Sequence, residues 1–143
     1  MSLPAAQHLL DSAEIRLLTE VGFLAAAKAD IRQAEVIFAS LELLRPDGAF
    51  VYCGLAFAYL NAALYESCVA VLDKGLQRVA PEDVSVLQSI RAMALSWAGR
   101  ASESERALAL AGMHPLAERL RSPAALLPTS PQALPVTFNR KDG

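Results

Sequence analysis

The chain has little of what catalytic and metal centres require. Two histidines and two cysteines are spread through 143 residues. His8 and His114 stand at opposite ends, and neither has a cysteine or an acidic pair at ligand spacing. Both read as surface residues, and no metal site is expected. There is no GxSxG, no phosphate-binding glycine loop and no dinucleotide fingerprint. No catalytic residue, no cofactor and no enzymatic activity are expected. Cys53 and Cys68 form no CxxC pair. Two thiols cannot build a disulfide framework, so a reducing compartment, the cytoplasm, fits best.

Charge of one sign is also lacking. Thirteen Lys and Arg face fifteen Asp and Glu, a formal net charge of −2. Arg100, Arg106, Arg119 and Arg121 are interspersed with acids and make no basic stripe. A nucleic-acid partner is not expected. Met1-Ser2-Leu3-Pro4 opens without a basic cluster or a long apolar run, so no secretory signal is expected. One uncharged run, Gly48 to Tyr65, has eighteen residues, the lower edge for a membrane span. It holds Gly48, Gly54, Asn61 and three tyrosines and has no flanking basic cluster, so a buried helix is expected instead.

What the chain does have is an apolar content of 54%, enough for the core of one domain, and an internal period. Pro46, Pro81 and Pro115 stand 35 and 34 residues apart. Before them, small residues recur at one offset: Gly22 and Ala34, Ala56 and Cys68, Ala92 and Ser104. Each pair is followed four residues later by a large one, Phe38, Leu72 or Leu108, and Ala111 closes the third series. Small residues let two antiparallel helices approach closely, and the large residue fills the gap toward the next pair. Proline then ends the second helix. The spacing predicts helices over 15–28, 31–44, 49–62, 65–78, 83–97 and 101–112, with a capping helix over 115–121. Glu103 and Glu105 start the sixth helix, where negative charge is favoured. Gly99 can take a left-handed conformation in the third hairpin turn, whereas the second has Ala62-Ala63 there.

This pattern resembles the tetratricopeptide repeat, a helix–turn–helix unit of 34 residues. It departs from that family in lacking the tryptophan at the fourth position, where Leu18, Tyr52 and Gln88 stand. Of the eleventh positions, only Tyr59 is aromatic; Ala25 and Leu95 hold the other two. The resemblance implies an all-α solenoid of three repeats, about 15–48, 49–82 and 85–118, within a domain over 15–121. Residues 1–14 would be an N-terminal extension or short helix.

In that family the first helix of each pair lines a concave groove. The corresponding residues are Arg16, Thr19, Phe23, Ala26 and Ala27, then Phe50, Cys53, Phe57, Leu60 and Asn61, then Val86, Ser89, Met93, Ser96 and Trp97. Phe23, Phe50, Cys53, Phe57, Leu60, Asn61, Met93 and Trp97 are the expected partner-binding residues. Gly22, Ala34, Phe38, Pro46, Ala56, Tyr59, Cys68, Ala92 and Ala111 are the expected packing residues. Carboxylate-clamp adaptors of the family carry basic residues and Asn along the groove. Here Thr19, Phe23, Val86 and Ile90 stand there, so an extended peptide with apolar anchors suits it better than an acidic tail.

Small three-repeat proteins of this kind resemble bacterial type III secretion chaperones, chiefly those of the translocators, with the export-apparatus and needle or pilus chaperones nearby. The resemblance lies in Phe38 to Pro46, Phe50 to Tyr59 and Tyr65 to Cys68. It implies a cytoplasmic bacterial chaperone that keeps a secretion substrate or export component soluble. The alternative is a structural assembly subunit using the same surface for homo-oligomerisation or a permanent complex.

From Ser122 to Asn139 the chain carries four prolines and no charge. Residues 122–143 are read as an extended, polyproline-like and flexible tail. Leu126, Leu127, Leu134, Val136 and Phe138 make it more apolar than a solvated linker. The competing reading is that it packs back on the repeats or binds a partner.

Overall fold

The computed structural model describes residues 10–121, which are helical throughout apart from the connections. The helices are α1 (Ser12–Ala27), α2 (Ile31–Leu44), α3 (Ala49–Asn61), α4 (Tyr65–Leu76), α5 (Val84–Trp97), α6 (Ala101–Ala111) and α7 (Pro115–Leu120). A single 3₁₀ turn, Pro81–Asp83, leads directly into α5. The expected 122–143 tail, His8 and most of the expected N-terminal extension lie outside the described residues.

Local chemistry sets the helix ends. Asp11 and Glu14 form a reciprocal cap: the Glu14 N–H donates to Asp11 Oδ1 at 2.8 Å, and the Asp11 N–H donates to Glu14 Oε2 at 2.7 Å. The first helix therefore starts at Ser12, three residues before the repeat spacing predicts. Asp30 accepts from the Gln33 N–H to start α2. The second helix ends at Leu44, just before Pro46, because proline can neither donate nor tolerate a preceding helical turn. Pro115 occupies the first turn of α7, where its missing N–H costs nothing.

The three hairpin turns, after α1, α3 and α5, share one set of backbone hydrogen bonds. In the first, the Ala29 N–H donates to Ala26 O and the Asp30 N–H to Ala25 O. In the second, Ala63 donates to Leu60 and Leu64 to Tyr59; in the third, Gly99 donates to Ser96 and Arg100 to Leu95. This is the Schellman arrangement, which needs a left-handed residue just past the helix. Ala29 (φ 53°), Ala63 (φ 58°) and Gly99 (φ 79°) supply it. Two of the three turns are thus made without the glycine that the conformation favours.

Helices pack in consecutive hairpins, α1 with α2, α3 with α4 and α5 with α6. Beyond that, α1 touches α3, α3 touches α5, and α5 touches α7. The odd-numbered helices form a continuous row, and the even-numbered ones join them from a second layer. Helix α3 is apolar all round because it is surrounded by α1, α2, α4 and α5. That accounts for the uncharged run. Among the described residues no helix is long and apolar enough to cross a membrane.

The core is built on aromatic rings set against glycine. Phe38 of α2 is fully buried. A Cβ placed on Gly22 of α1 would stand 2.9 Å from its Cζ, and one on Gly54 of α3 only 2.0 Å away. Tyr52 repeats the device: a Cβ on Gly75 of α4 would stand 2.6 Å from its Cγ, and its hydroxyl donates to Pro46 O at 2.6 Å. Ala34, Ala56, Cys68, Ala92 and Ala111 are all fully buried. Ser104 Oγ donates to Ala92 O at 2.7 Å, joining the paired small positions of α5 and α6 directly.

Candidate functional site: an apolar face on the odd-numbered helices

Phe23, Phe50, Phe57, Met93 and Trp97 all stand on the odd row, each packed on the core and half-buried. The Phe23 ring meets Phe38 edge-on at 5.4 Å and lies 6.4 Å from Phe57. Phe38 thereby supports the Phe23 ring. Two shallow depressions open beside them. One is lined by Thr19, Glu20, Phe23 and Leu24, the other by Ser12, Ile15, Arg16, Thr19, Glu20 and Phe50.

The polar groups of the face are mostly satisfied within the fold. Thr19 Oγ1 donates to Ile15 O and Ser89 Oγ to Ser85 O, both at 2.7 Å. The Arg16–Glu20 pair, 3.4 Å apart, is exposed at the edge. Arg16 and Glu20 thus stand beside the apolar rings and line the depressions with them.

Not every expected site residue faces outward. Cys53 (9% exposed) and Leu60 (6%) lie beneath the face and back it. Burial, with a smaller contribution from Asp83, raises the Cys53 thiol to about 11; burial, with Cys53 beside it, raises Cys68 to about 12. Such thiols are poor nucleophiles at neutral pH. Ile90 is fully buried. Asn61 is exposed, but its Nδ2 donates to Ala26 O across the α1–α3 contact at 2.9 Å. Trp97 packs edge-on against Tyr65 at 6.0 Å, and its indole N–H has no partner among the described residues. The structure thus brings Phe23, Phe50 and Phe57 to the α1–α3 side and places Trp97 near the start of α4.

Sequence reasoning missed what Gly54 and Gly75 pack against, and ion pairs that link α2 to α4 and its C-terminal end, α4 to α5, and the starts of α4 and α6. Glu42 of α2 holds Lys74 and Arg78 at 2.6 and 2.9 Å, and Arg91 holds Asp73 at 2.7 Å. Arg100 binds both Glu66 and Glu103, tying the starts of α4 and α6 together. The Glu103 carboxyl is held below its usual range, chiefly by its hydrogen bond from Arg100. Glu103 is therefore an ion-pair partner as well as a helix-start acid. The acids and bases follow the 34- to 36-residue offset (Glu42 to Arg78, Glu66 to Arg100), a signal hidden among ordinary surface charges.

Among the described residues no cluster of His, Cys, Asp and Glu could hold a metal ion. His114 serves locally, its Nδ1 accepting from the Leu116 N–H at 3.2 Å. No protein family, curated protein or solved structure matches the chain.

Proposed function

We propose that the chain is a three-repeat solenoid of the tetratricopeptide type acting as a non-catalytic chaperone or adaptor. It holds an apolar, extended segment of a protein partner on the odd-helix face, in the manner of a bacterial type III secretion chaperone. The observation that carries this reading is the group Phe23, Phe50 and Phe57, half-exposed on two adjacent helices and bordered by apolar depressions. Three hairpin turns with the same hydrogen bonds support the repeat architecture. Contacts that run along the odd row from α1 to α7 support reading that row as the concave side.

Burying a large apolar side chain on such a face contributes roughly 1.5–3 kcal/mol before ordering costs. Micromolar binding requires about 8 kcal/mol net, so a partner segment needs several such anchors to exceed the ordering costs. The test is Phe57→Glu: partner capture is lost while far-UV circular dichroism keeps the helical signal. A folded variant that binds as before would remove the groove from the account.

A second reading, a structural assembly subunit, is favoured by one observation. Leu17, Val21 and Leu24 are 62%, 41% and 61% exposed on α1. They stand 34 residues before Val51, Leu55 and Ala58, which are buried on α3. Among the described residues, α1 thus presents an apolar stripe whose counterparts on α3 are buried. Sedimentation of the isolated protein over a range of concentrations separates the readings: a stable dimer or larger species supports assembly, and a monomer supports the chaperone.

A further inference from the structure

We propose that a second copy of this chain covers the outer side of α1, the two α1 helices packing antiparallel about a two-fold axis at Val21. The inference rests on the assembly reading and names its partner, its surface and its geometry. It starts from the shape of the stripe. Leu17, Val21 and Leu24 continue into exposed Glu14 at one end and exposed Lys28 at the other, at steps of three, four, three and four residues. That is the spacing of a helix–helix seam, running about 21 Å along the helix. Ile15, Gly22, Ala25 and Ala26 hold the other side of α1 in the core.

Charge chooses the orientation. An antiparallel pair sets Glu14 beside Lys28 of the second copy, twice, and aligns the helix dipoles favourably. A parallel pair sets Glu14 against Glu14 and Lys28 against Lys28. With Val21 on the axis, Leu17 of each copy lies beside Leu24 of the other. Glu20, on the flank nearest the axis, is neutralised by its own Arg16 at 3.4 Å. At the far end of the fold α7 packs on α5 and α6 and exposes Glu118, Arg119 and Arg121. A head-to-tail contact would desolvate those charges, so a closed pair is favoured over a fibre.

The symmetry has a consequence for the odd-helix face. A two-fold axis that reverses the helix direction keeps the same flank of each α1 on the same side. The odd-helix faces of the two copies therefore open in one direction. Leu24 belongs both to the seam and to the depression of Thr19, Glu20 and Phe23, so each copy adds a wall to the depression of the other. Helix α1 is about 24 Å long. One helix laid on another covers a few hundred Å² per copy, below the about 800 Å² per partner of a standard interface. The pair is therefore reversible, with dissociation in the micromolar range.

The test is sedimentation equilibrium of the full chain from about 5 to 500 µM, a range that brackets micromolar dissociation. The native chain is run beside Lys28→Glu and the double variant Leu17→Asp with Leu24→Asp. Both leucines are exposed in the single copy, so the double variant keeps its helical circular dichroism. The native chain shifts from monomer to dimer mass, and the double variant stays a monomer throughout. Lys28→Glu pairs several-fold more weakly at low salt. Mild oxidation of Val21→Cys gives a disulfide-linked dimer, while the buried Cys53 and Cys68 take no part. A dimer that survives in the double variant, or species that grow beyond the dimer, overturns the proposal and leaves the assembly reading standing. A native chain that is a monomer at every concentration overturns both.

Discussion

The Phe38 ring of α2 lies directly over Gly54 of α3, so close that a Cβ on Gly54 would stand 2.0 Å from its Cζ. This contact joins the first helix pair to the second and holds the ring on which Phe23 rests at 5.4 Å. Gly54→Ala therefore tests the link between packing and site. Alanine gains about 1 kcal/mol of helix propensity over glycine. Overpacking a fully enclosed ring costs about 1–3 kcal/mol and occasionally more. The expected result is a net loss of up to about 2 kcal/mol, read as a fall of up to roughly 6–9 °C in Tm. An unchanged or raised Tm would show that the ring can move aside.

The hairpin turns respond in opposite directions to the same pair of residues. Ala63 holds φ 58° and Gly99 holds φ 79°, with open space where a Cβ on Gly99 would sit. A left-handed alanine costs roughly 1–2 kcal/mol, and glycine gives back about 0.5–1 kcal/mol in unfolded-chain entropy. Ala63→Gly should stabilise by about 0.5–1 kcal/mol, and Gly99→Ala should destabilise by a similar amount. Urea unfolding of both variants checks the signs.

The two cysteines should be silent in the native protein. Burial raises Cys53 to about 11 and Cys68 to about 12 from an ordinary 9.0. At pH 8, a thiol reagent should react with neither until denaturant is added. Folding favours the neutral thiols, so their contribution to stability is complete below pH 9 and is lost as pH rises toward 11–12. A urea midpoint that falls over that range in the native protein, and falls less in Cys53→Ala, is the expected outcome.

Asn61 has an intramolecular role. Its Nδ2 donates to Ala26 O, which also accepts from the Ala29 N–H at the end of α1. Asn61→Ala should lose about 1 kcal/mol of stability. Partner affinity that falls with stability unchanged would instead make Asn61 a contact residue.

Much of the helical layout was legible beforehand, for identifiable reasons. Prolines at Pro46, Pro81 and Pro115 and small residues at Gly22, Ala56 and Ala92 punctuate the chain at a near-constant spacing, so helix ends fell within a few residues of the observed ones. Gly54 was not legible, because within an uncharged helix a glycine does not declare which ring it faces. Nor was Asn61 to Ala26, a bond between residues 35 apart whose meeting depends on how α3 lies on α1. The periodic positions picked out a row of side chains along the odd-numbered helices. They could not distinguish Phe57, which remains half-exposed, from Leu60, which the neighbouring helices cover.

The most direct measurement is affinity capture from the native lysate with the full chain beside Phe50→Glu and Phe57→Glu, read by mass spectrometry. The account predicts one protein with an apolar segment that co-elutes with the native chain and is lost from both folded variants. The same protein held equally by all three would contradict a partner site on the odd-helix face.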